Sequence, residues 1–418
     1  MQSPTRKRRI IVIGGGASGM IAAGRAAELG SDVIVLERMN CLGTKLRITG
    51  KGRCNITNMG ELEQFIQSYG KNGRFLYNCF SNFFNTDLVN FFEKRGVKTV
   101  VERGKRVFPE SSDADEVVNC LIKYLEENKV EIRINFRVER VIIKESKIVG
   151  VRGSNKETIN GDAVIIATGG MSYPLTGSTG DGYGLAQEIG HKIIAPKPGL
   201  VPLEIEEEYV KEMQGLTLEN VELTAFLEGR KFAQIFGDML FTHFGVSGPI
   251  VLTISRDIVA RMDQGVITVS VNFKPALTGE VIEKRIVREF AEFGKMKYKN
   301  ILKHFLPNKA INVFVKLAKI REDKRCGEIT REERQRFIEL LTNFRLTVKR
   351  PRPLAEAIVT TGGVALDQIN PHTMESKIVR NLFFCGEVID VDGNTGGYNL
   401  QAAFSTGFVA GESAANTH

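Results

Sequence analysis

The sequence contains few residues of the kinds that build metal sites and disulfide frameworks. Its six cysteines are scattered, no two form a Cys-x-x-Cys pair, and none stands at a zinc-ligand spacing from one of the five histidines. Structural zinc sites and small disulfide-rich domains depend on such regular spacings. We therefore expect no metal ion and no disulfides, and a reducing compartment fits this cysteine content.

Long apolar runs are missing as well. No stretch of the sequence is apolar over the roughly 20 residues that cross a bilayer. The basic N-terminal stretch MQSPTRKRR is followed by a short apolar segment and a glycine cluster, which lack the longer apolar core of a secretory signal. These absences predict a soluble, cytoplasmic protein, and 418 residues are enough for two or three domains.

An excess of acidic residues is also absent, and the basic excess is local. The chain has 57 Lys and Arg against 49 Asp and Glu, a net charge of +8. Residues 281–350 carry 19 basic and 9 acidic side chains, whereas the remainder of the chain has 38 and 40. One interpretation is a solvated helical surface. The other is that Lys295–Arg350 binds an anionic partner such as RNA.

Glycine, in contrast, is abundant, and the most informative glycines lie in residues 9–37, RIIVIGGGASGMIAAGRAAELGSDVIVLE. The pattern is a short apolar strand, a glycine turn, a helix of small residues and a second strand that ends on Glu37. In such dinucleotide-binding units Gly14 permits the tight turn, Gly16 lets the backbone approach a pyrophosphate, and Gly19 allows close helix packing. The helix N-terminus faces the phosphates and Glu37 accepts the ribose hydroxyls. An ordinary turn without a nucleotide is the alternative.

A basic, glycine-rich segment, Cys41–Asn58, follows the second strand. Lys45 and Arg53 are among the basic residues that alternate with its glycines, and Asn55 adds a neutral hydrogen-bonding group. Long loops inside compact domains are usually functional. We interpret the segment as a loop that wraps the phosphates and the ring end of a large cofactor, with a mobile surface loop as the alternative.

Two further glycine motifs follow apolar strands later in the chain. Residues 167–170 read ATGG after DAVII, and residues 386–387 read GE after NLFFC. A helix then begins at Tyr398, directly behind Gly397, and its free amides would stabilise the negative charge of a reduced flavin ring. A domain that binds only NAD does not need these last two motifs, so their order favours FAD. No second strand–GxGxxG–helix unit is present, so a nicotinamide must approach the flavin directly or the electrons come from elsewhere.

Several longer blocks narrow this interpretation. They are TGKGRCNITN (49–58), GKRVFPES (104–111), GSTGDGY (177–183), LFTHFGVSGP (240–249), TMESKIV (373–379) and CGEVIDVDGNTGGYNLQAAFSTGFVAG (385–411). Together they resemble the BaiN/RdsA-type (YhiN-like) family of bacterial NAD(P)/FAD-dependent oxidoreductases. Cys385 departs from the alanine that we expect before Gly-Glu, and we expect this cysteine only to pack.

The resemblance implies an α/β fold of the two-dinucleotide-binding-domain flavoprotein type. A Rossmann-like FAD domain would carry an inserted β-barrel-like domain and a small helical insert. The expected boundaries are 1–194 and 351–418 for the FAD domain, 195–273 and 337–350 for the barrel, and 274–336 for the basic helical insert. The resemblance also implies that Val138 meets the adenine.

The resemblance further implies an FAD-dependent oxidoreductase with NAD(P)H as the electron source. Members of the family are associated with steroid-like enones and with uridine in ribosomal RNA. We predict that hydride passes from reduced flavin N5 to an activated C=C bond while a protein acid protonates the neighbouring carbon. The alternatives are an RNA-modifying flavoenzyme that forms dihydrouridine in ribosomal RNA and an amine oxidase-like enzyme that uses oxygen.

Two side chains are the proposed acids. Cys54 lies in the flavin-side segment, and His243 lies in a glycine-flanked turn and is considered because histidine side chains commonly transfer protons in catalysis. The residues expected to bind the cofactor are Gly14, Gly16, Ala17, Ser18, Gly19, Glu37, Arg38, Lys45, Arg53, Cys54, Asn55, Val138, Ala167, Thr168, Gly169, Gly170, Gly386, Glu387, Gly397, Tyr398, Asn399 and Leu400.

Overall fold

The computed structural model describes residues 6–417 and divides into two compact units. The first unit consists of the described residues up to Lys197 together with those from Leu354 onward. The second unit consists of Pro198–Pro353. The first five residues of the basic N-terminal stretch lie outside the described residues. Within residues 6–417, no helix combines the length and the apolar character that a membrane span requires.

Strands and helices are numbered in chain order. The strands are β1 (Arg9–Ile13), β2 (Asp32–Leu36), β3 (Thr57–Asn58), β4 (Thr99–Glu102), β5 (Arg106–Pro109), β6 (Glu131–Arg133), β7 (Val138–Lys144), β8 (Lys147–Gly153), β9 (Thr158–Asn160), β10 (Ala163–Ile166), β11 (Ile193–Gly199), β12 (Leu203–Ile205), β13 (Thr217–Leu227), β14 (Arg230–Phe241), β15 (Gly245–Ser247), β16 (Ile267–Asn272), β17 (Phe344–Pro351), β18 (Val359–Val364) and β19 (Leu382–Phe384). The helices are α1 (Ala17–Glu28), α2 (Thr44–Ile48), α3 (Leu62–Ser68), α4 (Tyr77–Asn82), α5 (Asn85–Glu93), α6 (Ala114–Glu127), α7 (Asp181–Glu188), α8 (Pro249–Val259), α9 (Gly279–Glu292), α10 (Tyr298–Ile301), α11 (Asn308–Ala318), α12 (Arg331–Thr342) and α13 (Tyr398–Asn416).

A five-stranded parallel sheet forms the centre of the first unit, with strand order β19-β10-β1-β2-β6. Every residue of β10 and nearly every residue of β1 is buried, as expected for apolar parallel strands that helices cover. The chain passes from β1 to β2 through α1, which is the strand–helix–strand unit predicted for residues 9–37. Because the strands are parallel, the carboxyl ends of β10, β1 and β2 share one edge of the sheet.

Helices α1 and α13 pack with their backbones close together. A Cβ atom built on Gly407 would lie 2.4 Å from Ser18 O, so this contact requires glycine. An ion pair between Arg25 and Glu412 joins the same two helices near their C-terminal ends. Small residues in α1 and α13 thus allow the N-terminal and C-terminal parts of the first unit to form one core.

Two three-stranded antiparallel sheets, with strand orders β3-β5-β4 and β7-β8-β9, and a two-stranded sheet of β11 and β18 accompany the central sheet. The prediction of a continuous loop over Cys41–Asn58 is wrong, because α2 and β3 lie within it. Gly43 precedes α2 with φ +71°, and its amide donates to Gly15 O at 2.9 Å. Gly43 therefore begins α2, and its own amide is satisfied by the glycine turn after β1.

The second unit contains a closed barrel with strand order β12-β15-β14-β13-β16-β17. Helices α9 to α12 lie between β16 and β17 in the chain, which matches the predicted combination of a barrel and a helical insertion. Phe314 of α11 stacks on Phe344 of β17 with ring centroids 5.4 Å apart, so the helices and the barrel share a core. Helix α12 ends at Thr342 and β17 begins at Phe344, and the expected boundary between the helical insert and the barrel at residues 336 and 337 stays a prediction.

Candidate cofactor site

The first glycine turn lies at the carboxyl end of β1 and has the geometry that the motif predicts. Gly14 has φ +105°, and a Cβ atom there would lie 2.5 Å from Ala167 O. A Cβ atom on Gly19 would lie 1.9 Å from Gly14 O, so α1 packs closely against the turn. A Cβ atom on Gly16 would meet nothing within 4 Å. Gly16 therefore faces open space at the start of α1.

The N-terminus of α1 is left free for an anion. The helix has no side-chain cap and no acidic residue in its first turn, which contains Ala17 and Ser18. The first amides of such a helix lack partners inside the helix, and its dipole favours negative charge. The open space beside Gly16 and these amides together fit a pyrophosphate.

Glu37 lies directly after β2 and is buried, with 8% of its surface exposed. Its Oε2 accepts a hydrogen bond from Gly15 N at 2.7 Å, and its Oε1 accepts one from Met39 N at 2.8 Å. Both carboxylate oxygens are therefore fixed by backbone amides of the segments that flank the glycine turn. A carboxylate held in this way keeps lone pairs for ribose hydroxyls.

The ATGG turn after β10 brings an unsatisfied hydroxyl to the same edge of the sheet. Thr168 Oγ1 is buried and has no hydrogen-bond partner. A Cβ atom on Gly182 would lie 2.0 Å from it, so the turn is tightly enclosed on the side of α7. Gly169 has φ +72°, which favours glycine at this position. An orphaned buried hydroxyl beside Gly14 is a group that a bound cofactor could satisfy.

Glu387, after β19, is at the centre of a polar cluster with Lys45, Ser172 and Thr360. Its Oε2 accepts from Lys45 Nζ at 2.6 Å, and its Oε1 accepts from Thr360 N at 2.7 Å and from Ser172 Oγ at 3.1 Å. Lys45 Nζ also donates to Ser172 Oγ at 2.6 Å. The Lys45 and Glu387 side chains are 21% and 20% exposed, so the cluster borders open space while remaining largely enclosed.

The start of α13 is a second uncapped helix N-terminus. Gly397 precedes the helix with φ +101°, and a Cβ atom there would lie 2.3 Å from Thr57 O. With the amide of Asn55 oriented to satisfy both of its ends, its oxygen accepts from Gly397 N at 2.9 Å. Asn399 fixes the preceding loop, because its Oδ1 accepts from Gly393 N at 2.7 Å.

Tyr398 and Leu400, the neighbours of Asn399, are also held by contacts within the first unit. Tyr398 O accepts a hydrogen bond from Tyr69 OH at 2.6 Å, and Leu400 packs against the core of the first unit. Gly386 has φ +76°, and a Cβ atom there would lie 2.3 Å from Ser18 Oγ. The Gly-Glu motif therefore lies against the first turn of α1, as a shared cofactor site requires.

The other two predicted basic residues, Arg38 and Arg53, are engaged by acids, as Lys45 is. Arg38 pairs with Asp181 at 3.0 Å, at the start of α7. Arg53 pairs with Glu102 and lies over the Phe108 ring at 4.2 Å, and this pairing lowers the pKa of Glu102. Arg38 and Arg53 are therefore fixed by the protein itself, and their binding to a cofactor stays a prediction.

Val138, at the start of β7, is 5% exposed and pairs with Gly153 of β8. Its expected contact with adenine also stays a prediction. Gly170, in the turn after β10, lies close to the polar cluster, because a Cβ atom on it would be 2.9 Å from Glu387 Oε1. The ATGG turn and the Gly-Glu motif are thus adjacent.

The two proposed acids differ in environment and belong to different units. Cys54 has φ +57° and is fully buried, and burial raises the pKa of its thiol to about 12. His243 lies in the bend between β14 and β15, and its side chain is exposed. The geometry of Cys54 gives no support to a role as proton donor, whereas the His243 imidazole is accessible.

Sequence reasoning included Lys45 among the site residues but missed the other two partners of Glu387, Ser172 and Thr360. Ser172 follows the ATGG turn by two positions, and Thr360 precedes the Gly362-Gly363 pair, so each stands beside a glycine motif that could have drawn attention to it. Their contacts with Glu387 span 215 and 27 positions along the chain. Contacts of this kind become visible only when the strands are placed side by side.

A protein-family model described as "HI0933-like protein Rossmann domain" matches residues 8–413. The chain belongs to the HI0933-like family. This assignment covers both units and agrees with the resemblance carried by the six sequence blocks. The α/β sheet with its glycine turn, the inserted barrel and the helices are the fold of this HI0933-like protein.

Two curated relatives match over nearly their whole length. The chain is 32% identical over 410 residues to a 3-dehydro-bile acid delta(4,6)-reductase of Clostridium scindens, covering 97% of this chain and 99% of the relative. It is 30% identical over 402 residues to a ribosomal RNA dihydrouridine synthase of Haemophilus influenzae, covering 95% and 96%. These relatives confirm the family named from the sequence blocks.

Among solved structures, the chain is similar to a 3-ketosteroid-delta4-(5alpha)-dehydrogenase from Rhodococcus jostii RHA1. The TM-score is 0.54 at 14% identity, and the match covers 99% of both chains. At that identity the likeness shows a shared fold. The HI0933-like protein is an FAD-dependent oxidoreductase, and the open phosphate loop, the fixed Glu37 carboxylate and the orphaned Thr168 hydroxyl fit FAD.

Proposed function

We propose that the protein reduces a C=C bond conjugated to a carbonyl group in a small, steroid-like enone, with NAD(P)H as the electron source. The observation that carries this proposal is the end-to-end match to a reductase whose name specifies delta(4,6) bonds of a 3-dehydro-bile acid. NAD(P)H is generated in the cytoplasm, which we propose as the location. When bound and reduced, FAD supplies the hydride.

The chain's own residues hold the cofactor and prepare the site. The amides at the start of α1 bind the pyrophosphate, and Glu37 orients the ribose through its two fixed oxygens. The uncapped start of α13 presents amides and a positive dipole end that stabilise negative charge on an electron-rich ring. Lys45, held between Glu387 and Ser172, supplies a fixed positive charge next to the same edge of the sheet.

The proposed proton donor is His243 rather than Cys54. Cys54 is fully buried, whereas the His243 ring is exposed to water, and histidine is the side chain that most often acts as a general acid. We expect His243→Asn to slow oxidation of the reduced enzyme by substrate about 100-fold, while reduction by NAD(P)H stays unchanged. Cys54→Ala is the matched comparison. A slower oxidation step in Cys54→Ala together with an unchanged one in His243→Asn would reverse the assignment.

A second function has its own support. The dihydrouridine synthase relative is almost as similar, and formation of dihydrouridine from uridine also saturates a C=C bond conjugated to a carbonyl. The basic segment Lys295–Arg350 would then bind RNA phosphates, with a steep dependence on salt. Because both reactions saturate a C=C bond conjugated to a carbonyl group, the experiment below uses both kinds of substrate.

The deciding experiment separates the two half-reactions. The purified protein is reduced anaerobically with NADH or NADPH and then mixed with a 3-keto-delta4 steroid, a ribosomal RNA fragment or oxygen. We expect rapid flavin oxidation by the steroid and a product heavier by two hydrogens. Rapid oxidation by the RNA fragment, with no reaction with the steroid, would replace the proposal with dihydrouridine formation. Fast oxygen turnover with a simple amine and no NAD(P)H would favour an amine oxidase.

A further inference from the structure

A short segment of the first unit, Gly177–Asp181, connects the ends of two strands that are not neighbours in the sheet. We call this segment the strap. On one side, Gly180 N donates to Gly170 O at 3.1 Å, directly after β10. On the other side, Arg38, at the end of β2, donates to Asp181 Oδ2 at 3.0 Å.

A second arginine, Arg137, donates hydrogen bonds to the same Asp181 carboxylate. Arg137 Nε lies 2.9 Å from Asp181 Oδ2, and Arg137 Nη2 lies 3.1 Å from Oδ1. This two-pronged geometry is the strong form of an arginine–carboxylate contact. The Asp181 side chain is 21% exposed, whereas Arg137 is 57% exposed. The strap is therefore held by the largely enclosed Asp181 carboxylate, which pairs with an exposed Arg137 guanidinium that water and salt ions can reach.

The strap also packs closely against Arg38 and Met39, which follow β2. A Cβ atom on Gly177 would lie 2.9 Å from Met39 Cγ, and the next residue but one, Thr179, accepts a hydrogen bond from Arg38. A Cβ atom on Gly169 would lie 3.0 Å from the Oγ of Ser178, which is buried. Both sides of the strap are thus in close contact with the turns that follow β10 and β2.

Strand β1 lies between β10 and β2 in the sheet. A segment that contacts the residues after both neighbours therefore lies at the carboxyl edge of the sheet, as does the turn Gly14–Gly16 after β1. We propose that the strap is a gate over the adenosine end of the cofactor, and that the ion pairs of Asp181 with Arg38 and Arg137 hold it closed and limit the release of FAD. This inference depends on FAD as the cofactor and not on the substrate proposed above.

The test uses Arg137, because it reaches the strap only through the carboxylate and is therefore a positioning residue. FAD-loaded protein is diluted, and release is followed by the rise in flavin fluorescence at low and high salt. We expect Arg137→Gln to release FAD about two- to fivefold faster at low salt, which is the range of one exposed ion pair. Salt should accelerate release from the unmodified protein and have less effect on the variant.

A matched variant and a second substitution make the test decisive. Arg133 also forms surface ion pairs, with Glu131 and Glu157, but does not reach the strap, so Arg133→Gln should release FAD at the original rate. Asp181→Asn should release FAD faster than Arg137→Gln, because it loses both arginine contacts. Equal rates for Arg137→Gln and the unmodified protein, equal acceleration in Arg133→Gln, or FAD that dilution never releases would overturn the proposal.

Discussion

Two carboxylates lie at the same edge of the parallel sheet and are held in different ways. Glu37, after β2, receives hydrogen bonds from two backbone amides, Gly15 N and Met39 N. Glu387, after β19, depends on the side chains of Lys45 and Ser172 and on one amide. The first carboxylate is fixed by the course of the chain itself, whereas the second is fixed by side chains that a substitution can remove. The position of the Glu37 carboxylate should therefore be less sensitive to substitution of neighbouring side chains than the position of the Glu387 carboxylate.

The largest effect is expected from removal of Glu37 itself. Glu37→Ala leaves two amides of the site without their acceptor and removes the acceptor for the ribose hydroxyls. We expect the affinity for FAD to fall about 100-fold, because each hydrogen bond to a charged group contributes about 1.5–3 kcal/mol. Titration of the apoprotein with FAD, followed by flavin fluorescence, measures the change. Glu37→Gln should lose less, and an unchanged affinity in Glu37→Ala would show that this carboxylate does not hold the cofactor.

A smaller effect is expected when Glu387 loses its cation. Lys45→Met keeps the length of the side chain but leaves a largely enclosed carboxylate without its ion-pair partner. We expect the free energy of unfolding of the apoprotein to fall by about 2 kcal/mol, less than for a fully buried pair. The control is Lys123→Met, because Lys123 pairs with Glu127 at 3.9 Å on the exposed surface. Urea unfolding should show almost no change for this control, and equal losses in both variants would contradict the comparison.

His191 is also held by a side chain, that of Ser376, and its protonation makes the free energy of unfolding depend on pH. Ser376 Oγ accepts from Ile378 N and Val379 N, so its proton donates to His191 Nε2 at 2.8 Å. Burial lowers the pKa of this imidazole below the ordinary 6.5. Since the folded pKa is the lower one, the unfolded chain binds more protons below about pH 6.5.

We therefore expect the free energy of unfolding to fall as the pH is lowered through this window, with a contribution of at most about 1.4 kcal/mol per pH unit from His191. Urea unfolding between pH 7.5 and 5 measures the slope. His191→Gln should flatten it. His372 is exposed and serves as the control, so His372→Gln should leave the slope as it is. A slope that does not change in His191→Gln would assign the pH dependence to other groups.

The same contrast explains how much could be predicted from the sequence. Gly15 and Met39 lie 22 and 2 positions from Glu37, so one local pattern contains the turn, the helix and the carboxylate. Lys45 lies 342 positions from Glu387, and no local pattern links them. The sequence therefore predicted both acids as site residues but not the lysine and serine contacts of the second.

Cys54 shows a different limit. Its place in a glycine-rich segment indicated a group near the cofactor, but solvent access depends on which side of the chain is covered by other segments. The thiol is fully buried, and the segment contains α2 and β3 rather than a continuous loop. The family resemblance implied the barrel of the second unit, and the sequence pattern predicted helices up to about Leu341, close to the end of α12 at Thr342.

The contact between α1 and α13 has a consequence for biosynthesis. Arg25 and Glu412, which join these helices, lie 387 positions apart. At about 5–20 residues per second, the ribosome needs roughly 20–80 s to make the intervening chain. Until α13 is made, the face of α1 around Ser18 and Ala22 lacks its final partner, and β10 likewise lacks β19 until that strand is made. Newly made chains therefore carry an open sheet edge for about half of their synthesis, which is the interval in which a chaperone can bind them.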